Sequence, residues 1–194
     1  MKNLPIYDVL DDIKTALNTE STLILQAPPG AGKSTVVPIS LLNESWLEYK
    51  IIIMLEPRRV AARMVAVQMA KLLGEEVGQS VGYQVKMESC YSKQTKLLVV
   101  TEAILVRKLQ SDQALEDVAM VIFDEFHERS IHTDLSLALC LQVQELLRPV
   151  LKLLIMSATL DSLELTNLLG KIPVINSKGK IYDVENIYLE TNIK

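Results

Sequence analysis

Short runs of apolar residues alternate along the chain with longer segments in which apolar positions recur every three or four residues. The short runs predict strands, and the helical spacing predicts helices. Several runs consist almost wholly of Val, Ile and Leu, which is typical of parallel strands that helices cover on both faces. The pattern therefore predicts a doubly wound α/β domain with a mostly parallel sheet.

The elements that this pattern predicts extend over most of the chain. The predicted strands are Ser21–Gln26, Lys50–Leu55, Ser80–Lys86, Leu97–Val100, Met120–Phe123, Lys152–Met156, Ile172–Ile175 and Val184–Leu189. The predicted helices are Tyr7–Asn18, Gly32–Leu42, Val60–Leu73, Glu102–Gln110, Thr133–Leu146 and Ser162–Leu168. A polar turn at 176–180 then ends the alternation. We therefore expect residues 1–175 to form one domain and residues 176–194 to form a linker into a further element.

Composition and charge exclude several classes of protein. The chain has 194 residues, of which 49% are hydrophobic, and its 20 Lys and Arg against 24 Asp and Glu give a net charge of −4. This balance excludes a generally basic nucleic-acid coat, so any contact with nucleic acid must be local. Glycine and proline, at seven residues each, are too few for a low-complexity chain.

The apolar runs, the N-terminal residues and the two cysteines bear on cellular location and redox chemistry. No stretch approaches the roughly 18 uninterrupted apolar residues of a membrane span, so we expect no membrane partner. The acidic residues Asp8, Asp11 and Asp12 exclude a secretory signal, and we expect a cytoplasmic protein. Cys90 and Cys140 have neither a metal-ligand spacing nor a disulfide pattern, and we interpret them as small apolar residues.

The segment 27–35, with the sequence Ala-Pro-Pro-Gly-Ala-Gly-Lys-Ser-Thr, lies between a predicted strand and a predicted helix, which is the context that a phosphate-binding loop requires. Glycines allow backbone N–H groups to curl around phosphates, and the start of a helix favours negative charge. Lys33 is expected to reach the β- and γ-phosphates of a nucleotide, and Ser34 to hold Mg²⁺. The residues predicted to bind the nucleotide are Pro29, Gly30, Ala31, Gly32, Lys33, Ser34 and Thr35.

One position in this loop departs from the strict motif, which has Gly where this chain has Ala27. A methyl group is tolerable there if the backbone is not left-handed. The alternative interpretation is a Gly-rich turn without a ligand, which the Gly-Lys-Ser sequence between a strand and a helix disfavours.

A second candidate is the acidic segment that follows the apolar run Met120–Phe123. Asp124 leaves this strand at its carboxyl end and is a candidate to hold Mg²⁺ through its water shell. Glu125 is a candidate general base for an attacking water, whereas His127 taken alone is more typical of a polar turn. The alternative is an acidic strand cap, which becomes the weaker interpretation once a phosphate loop lies in the same sheet.

Three further polar clusters follow predicted strands, and they are Glu56–Arg59, Thr101–Glu102 and Ser157–Thr159. In an open α/β sheet ligands bind outside the carboxyl ends of the strands, so we expect all these segments to meet at one edge. Arg58 and Arg59 suit a phosphodiester backbone, and Thr101 offers a hydroxyl group to a neighbouring phosphate. Taken singly, the clusters also fit a solvated arginine pair or a helix N-cap.

Together these motifs resemble the first RecA-like domain of superfamily 2 helicases, in the DEAH-box branch of ATP-dependent RNA helicases. The correspondence runs through motifs I, Ia, Ib, II and III, at Lys33 and Ser34, Glu56–Arg63, Thr101–Leu105, Asp124–His127 and Ser157–Thr159. The pieces Glu-Pro-Arg-Arg, Asp-Glu-Phe-His-Glu-Arg-Ser and Met-Ser-Ala-Thr-Leu look especially like bacterial HrpB-type helicases. The resemblance extends from Leu4 to about Leu189.

The resemblance implies a RecA-like P-loop NTPase that hydrolyses ATP or another NTP with Mg²⁺. In the intact enzyme it implies 3′-to-5′ movement along single-stranded RNA, with DNA as a further candidate. The residues it implies to be catalytic are Asp124, Glu125 and His127. It implies that Ser157 and Thr159 couple the nucleotide state to a nucleic-acid surface formed by Arg58, Arg59 and Thr101.

Motifs IV, V and VI of the second RecA-like domain have no counterpart in this sequence, so residues 176–194 resemble the crossing into that domain. We expect slow hydrolysis from this domain alone, because the family's arginine fingers lie in the second one and such a finger contributes roughly 10³–10⁵ in rate. The sequence has no heptad run, and we expect a monomer.

Two other functions fit parts of the pattern. A P-loop ATPase that remodels a protein partner would use Lys33 and Asp124 but would give the arginine pair no role. A regulatory scaffold that binds nucleotide without turnover is a third interpretation, and the unaltered Glu125 is evidence against it.

Overall fold

The computed structural model describes residues 4–159, 170 and 172–179. The strands in this part are β1 Thr22–Gln26, β2 Ile51–Leu55, β3 Val81–Val85, β4 Glu88–Cys90, β5 Leu97–Val100, β6 Val118–Phe123, β7 Lys152–Ser157 and β8 Val174–Asn176. The α-helices are α1 Leu10–Thr19, α2 Lys33–Ser40, α3 Arg59–Leu73, α4 Glu102–Ser111 and α5 Ile131–Leu146. Short 3-10 helices lie at Pro5–Val9, Ser45–Leu47 and Phe126–Glu128.

The strands form a single sheet in the order β4-β3-β5-β2-β6-β7-β1-β8. All neighbouring pairs are parallel except β3 and β4, which are antiparallel. Helices α2, α3, α4 and α5 lie in the connections from β1 to β2, β2 to β3, β5 to β6 and β6 to β7, whereas β3 and β5 are connected through β4. The predicted α/β class with a mostly parallel sheet is confirmed.

Helices cover both faces of this sheet, and each face has its own apolar core. Helices α1, α2 and α3 contribute residues such as Ile13, Val37 and Ala66 to the first core. Helices α4 and α5 contribute residues such as Leu105 and Leu137 to the second. None of the described helices is long and apolar enough to cross a membrane.

Strand β2 explains why the central strands have continuous apolar sequences. Ile52 and Met54 belong to the first core, whereas Ile53 and Leu55 belong to the second. Because successive side chains point to opposite faces and both faces are covered, neither set of positions is polar.

The first helix and one strand differ from the sequence-based expectation. The predicted helix Tyr7–Asn18 is divided into the 3-10 helix Pro5–Val9 and the α-helix Leu10–Thr19, with Pro5 at the start of the former. Strand β4 was not predicted, because its sequence Glu-Ser-Cys is too short and too polar to give an apolar run. It follows Met87, whose φ of 66° turns the chain back along β3.

Near the end of the chain, the predicted strand Ile172–Ile175 corresponds to β8, which the structure assigns to Val174–Asn176. The expected boundary after residue 175 therefore falls inside a strand that pairs with β1. The predicted helix Ser162–Leu168 and the predicted strand Val184–Leu189 lie outside the described residues. The other predicted elements agree with the structure to within a few residues.

A matched pair of isoleucines tests the position of the second core. Ile53 is 0% exposed in the middle of the sheet, whereas Ile131 is 83% exposed at the start of α5. We expect Ile53→Ala to lower the free energy of unfolding by about 2–5 kcal/mol, since it leaves a cavity. Ile131→Ala should change it by less than about 0.5 kcal/mol. Urea titration of both variants measures the difference, and equal effects would contradict the assigned core.

Candidate functional site

The carboxyl ends of five adjacent parallel strands meet along one edge of the sheet, which we call the carboxyl edge. In sheet order these strands are β5, β2, β6, β7 and β1. The segments at the ends of these strands are residues 101–102, 56–59, 124–130, 157–159 and 27–35, of which Ser157 is still the last residue of β7. Every site residue predicted from the sequence therefore lies at the carboxyl edge, as the strand pattern predicted.

The phosphate loop presents unpaired backbone donors at the start of α2. Gly30 and Gly32 have φ values of 76° and 97°, in the left-handed region that glycine adopts without strain. The N–H groups of Gly30, Gly32, Lys33 and Ser34 donate no hydrogen bond to any described residue. With Lys33 as the first residue of the helix, these N–H groups form a cradle for an anion.

The N-terminal 3-10 helix Pro5–Val9 packs against this loop. The Ile6 N–H donates a hydrogen bond to the carbonyl oxygen of Ala31 at 3.2 Å. A Cβ atom on Gly32 would lie 3.0 Å from side-chain carbons of both Leu4 and Ile6. The loop therefore needs glycine at position 32 for space as well as for its backbone angle.

The remaining loop residues have ordinary backbone roles. Ala27 is buried and outside the left-handed region, so its methyl group is accommodated where the strict motif has Gly. Pro29 is exposed at the tip of the loop. Thr35 lies in the first turn of α2, and its N–H donates to the carbonyl oxygen of Gly32 at 3.3 Å.

An ion pair joins the phosphate loop to the segment after β6. Lys33 is only 3% exposed, and its Nζ donates to Oε1 of Glu125 at 2.8 Å. Glu125 itself has a φ of 47°, which is uncommon for a residue with a side chain. A buried ammonium group needs an anionic partner, and in this structure Glu125 supplies it.

His127 lies between Glu125 and the segment after β7 and contacts both. Its Nε2 lies 3.4 Å from Oε2 of Glu125, and its Nδ1 accepts a hydrogen bond from the Ala158 N–H at 3.3 Å. Because Nδ1 is the acceptor, the proton of a neutral ring lies on Nε2, facing Glu125. The Ser157 hydroxyl in turn accepts a bond from the Thr159 N–H at 3.4 Å. Ser157 and Thr159, the residues predicted to couple the nucleotide state to the nucleic-acid surface, are thus the chain neighbours of the residue that bonds to His127.

Asp124 provides an unpaired buried oxygen beside the phosphate loop. The residue is 1% exposed, and its Oδ1 accepts a hydrogen bond from the Glu125 N–H at 2.9 Å. Its Oδ2 is buried and has no hydrogen-bond partner among the described residues. Burial raises the pKa of Asp124 to about 6, against the opposing effect of the Ser34 hydroxyl. A carboxylate oxygen and a hydroxyl in this arrangement fit a magnesium ion, which prefers oxygen ligands.

Glu56 also belongs to this site. In the sequence analysis it appears as the first residue of the cluster Glu56–Arg59, with no predicted role of its own. It follows β2 directly and is buried. Burial, and after it the negative charge of Asp124, raise the pKa of Glu56 to about 7. The available signal was an acidic residue directly after a buried strand, the same signal that identified Asp124.

The three residues predicted to contact nucleic acid lie after the neighbouring strands β2 and β5. Arg58 is exposed and pairs with Glu128, whose Oε2 accepts a bond from the Arg58 Nε at 3.2 Å. Arg59 is exposed and donates from Nη2 to the carbonyl oxygen of Lys86 at 2.9 Å. Thr101 is buried at the N-cap of α4. The arginines are therefore accessible to a polymer, and the threonine is largely covered.

Phe126 fixes the turn that carries these acidic residues. Its ring is buried and packs edge-on against Phe123, with ring centroids 6.3 Å apart. The Arg129 guanidinium lies over the same ring, 5.6 Å from its centroid. The aromatic ring thus faces the second core, while the neighbouring His127 side chain stays at the carboxyl edge.

Glu56 gives a pH-dependent test of this geometry. The folded chain keeps the Glu56 proton to higher pH than the unfolded chain, so its contribution to stability is full below about pH 4.5 and is lost as pH rises through about 7. We expect Glu56→Gln to gain stability relative to wild type between pH 5 and pH 8, on the order of 2 kcal/mol. Denaturant titrations across this range measure the gain.

Glu76→Gln, at an exposed carboxyl group, is the matched control for this experiment. An equal gain in both variants, or no gain for Glu56→Gln, would contradict the burial of a proton-binding carboxyl at the carboxyl edge.

Comparison with known proteins identifies the family. The DEAD/DEAH box helicase family matches residues 11–168. The chain is 50% identical, over 97% of its length, to the ATP-dependent RNA helicase HrpB of Escherichia coli (strain K12). It is 37% identical, over 96% of its length, to the ATP-dependent RNA helicase DHX30 of Gallus gallus.

A solved structure agrees with these relatives. The crystal structure of the Escherichia coli DEAH/RHA helicase HrpB matches with a TM-score of 0.90 and 49% identity, covering 94% of this chain. The chain spans 23% of that protein and of the curated HrpB sequence, and 16% of DHX30. Since the family match extends through the phosphate loop, the acidic segment and the segment after β7, the chain belongs to the DEAD/DEAH box helicase family.

Proposed function

We propose that this chain is the part of an ATP-dependent RNA helicase that binds the nucleotide and hydrolyses it. The observation that carries the proposal is the Lys33–Glu125 ion pair of 2.8 Å. It sets a phosphate-binding ammonium group beside a carboxylate suited to activate water, at the end of a cradle of free N–H groups. The relatives' names state ATP-dependent RNA helicase, and the comparisons give no support to a protein-remodelling ATPase.

In this proposal the nucleotide phosphates replace Glu125 as the partner of Lys33. The loop N–H groups and Lys33 bind the β- and γ-phosphates, and Oε1 of Glu125 becomes free to accept a proton from the attacking water. The His127 Nε2–H orients the other carboxylate oxygen of Glu125. Two distances support this arrangement: Lys33 Nζ lies 2.8 Å from Oε1 of Glu125, and His127 Nε2 lies 3.4 Å from Oε2 of the same residue.

Magnesium completes the proposed site. Ser34 and Asp124 are the residues that would hold the ion, directly or through its water shell. When bound, Mg²⁺ would supply positive charge beside the phosphates. The unpaired Oδ2 atom of Asp124 is the observation in this chain that supports a cation there.

RNA is the proposed polymer, held by its phosphate backbone at Arg58 and Arg59. Thr101, which is buried at the N-cap of α4, is the proposed third contact. His127 contacts Ala158 between Ser157 and Thr159, so these residues are proposed to transmit the nucleotide state across the edge. In the full-length protein a second RecA-like domain would complete the nucleotide site and allow movement along the strand.

Lys33→Ala tests the nucleotide half of the proposal. We expect the variant to bind ADP with Mg²⁺ about tenfold more weakly or worse, because a charge-assisted contact to phosphate is lost. Isothermal titration calorimetry on the 194-residue chain measures this change. Lys108→Ala is the matched control, because Lys108 pairs with Asp117 away from the carboxyl edge. Unchanged affinity in Lys33→Ala would contradict the proposed phosphate site.

Glu125→Gln separates binding from hydrolysis. The amide oxygen can still accept from Lys33 but cannot take a proton from water, so we expect nucleotide binding to be retained and hydrolysis to fall by about 10²–10⁴. Phosphate release with protein in excess over labelled ATP measures the slow turnover expected here. A variant that hydrolyses ATP at the wild-type rate would remove Glu125 from the role of general base.

A further inference from the structure

The acidic turn, residues 124–130, contacts every other segment at the carboxyl edge. Glu125 pairs with Lys33 of the phosphate loop, and His127 contacts the segment after β7. The Ser130 hydroxyl donates to Oε1 of Glu102, at the start of α4 after β5. The remaining contact, between Glu128 and the segment after β2, differs from these because it occupies a residue proposed to bind RNA.

Glu128 holds Arg58 in the way that a phosphate group would. The Arg58 Nε donates to one carboxylate oxygen at 3.2 Å, and Nη2 donates to the other. Two parallel N–H···O bonds from one guanidinium are the geometry with which arginine also binds phosphodiester oxygens. A phosphate of RNA and the carboxylate of Glu128 therefore compete for the same two donors.

The exposure of the pair favours exchange with an incoming anion. The side chain of Arg58 is 70% exposed and that of Glu128 is 31% exposed. Exposed ion pairs are weak and screened by salt, so an RNA phosphate can displace the carboxylate without a large cost. Arg59, by contrast, gives one N–H to a backbone carbonyl, which carries no net charge to compete with phosphate.

We propose that Glu128 is a positioning residue that occupies Arg58 until an RNA phosphate displaces it. This inference rests on the proposed RNA contact of Arg58 and adds a competitor to it. The Glu128 N–H donates to the carbonyl oxygen of Glu125 at 2.9 Å, within the turn that carries His127. Glu128 therefore lies in the same turn as Glu125 and His127, whose side chains contact Lys33 and Ala158 respectively.

A double-mutant cycle with RNA tests the competition. We expect Glu128→Gln to bind a labelled single-stranded oligouridylate about two- to fivefold more tightly than wild type, the range expected from release of an exposed ion pair. Arg58→Ala should bind more weakly, and adding Glu128→Gln to Arg58→Ala should change nothing further. Fluorescence anisotropy at low ionic strength measures all four proteins, and Glu128→Ala serves as a second variant of the same sign.

Asp117→Asn is the matched control, since it removes the same charge from an exposed ion pair that precedes β6, at the opposite edge of the sheet. An equal gain in Asp117→Asn, or a gain that persists without Arg58, would overturn the competition and leave a general charge effect. No gain for Glu128→Gln, with weakened binding by Arg58→Ala, overturns the competition alone. Wild-type affinity in Arg58→Ala, or no RNA binding by any variant, overturns the proposed RNA contact itself.

Discussion

A buried ammonium group constrains the carboxyl edge of this sheet. Lys33 lies at the start of a helix inside a loop of free N–H groups, where positive charge is already concentrated. Burial of its charge without an anion would be costly, and Glu125 balances it at 2.8 Å. The carboxylate proposed to activate water is therefore also the partner of this buried charge. In the proposed function, exchange of that carboxylate for phosphate links nucleotide binding to the release of the base.

The acidic turn, residues 124–130, connects Glu125 to the other segments at the carboxyl edge. A 3-10 helix directs consecutive side chains to different sides, so His127 and Glu128 reach the segments after β7 and β2 respectively. Phe126, the first residue of this 3-10 helix, is buried and attaches the turn to the second core. One short segment therefore makes contacts with the phosphate loop, the segment after β7 and the segment after β2.

Much of this arrangement could be predicted from the sequence, for identifiable reasons. Continuous apolar strands require cover on both faces, and parallel strands place their carboxyl ends together, which locates the phosphate loop and Asp124 at one edge. Strand β4 could not be predicted, because its pairing with β3 depends on a turn at Met87 and not on an apolar pattern. The raised pKa of Glu56 could not be predicted either, although the residue follows a buried strand as Asp124 does, because the shift comes from burial and from the charge of Asp124 in the folded chain.

The α/β class, the phosphate loop and the acidic residues can be identified from the sequence, because each depends on local spacing and on the periodicity of apolar positions. The pairing of charges depends on the folded chain. Lys33 and Glu125 are far apart along the chain, as are Arg58 and Glu128, and each pair forms because the sheet order brings their strands to the same edge. Pairing between distant side chains depends on the strand order and on the direction of each side chain. Neither can be predicted from the neighbouring residues in the sequence.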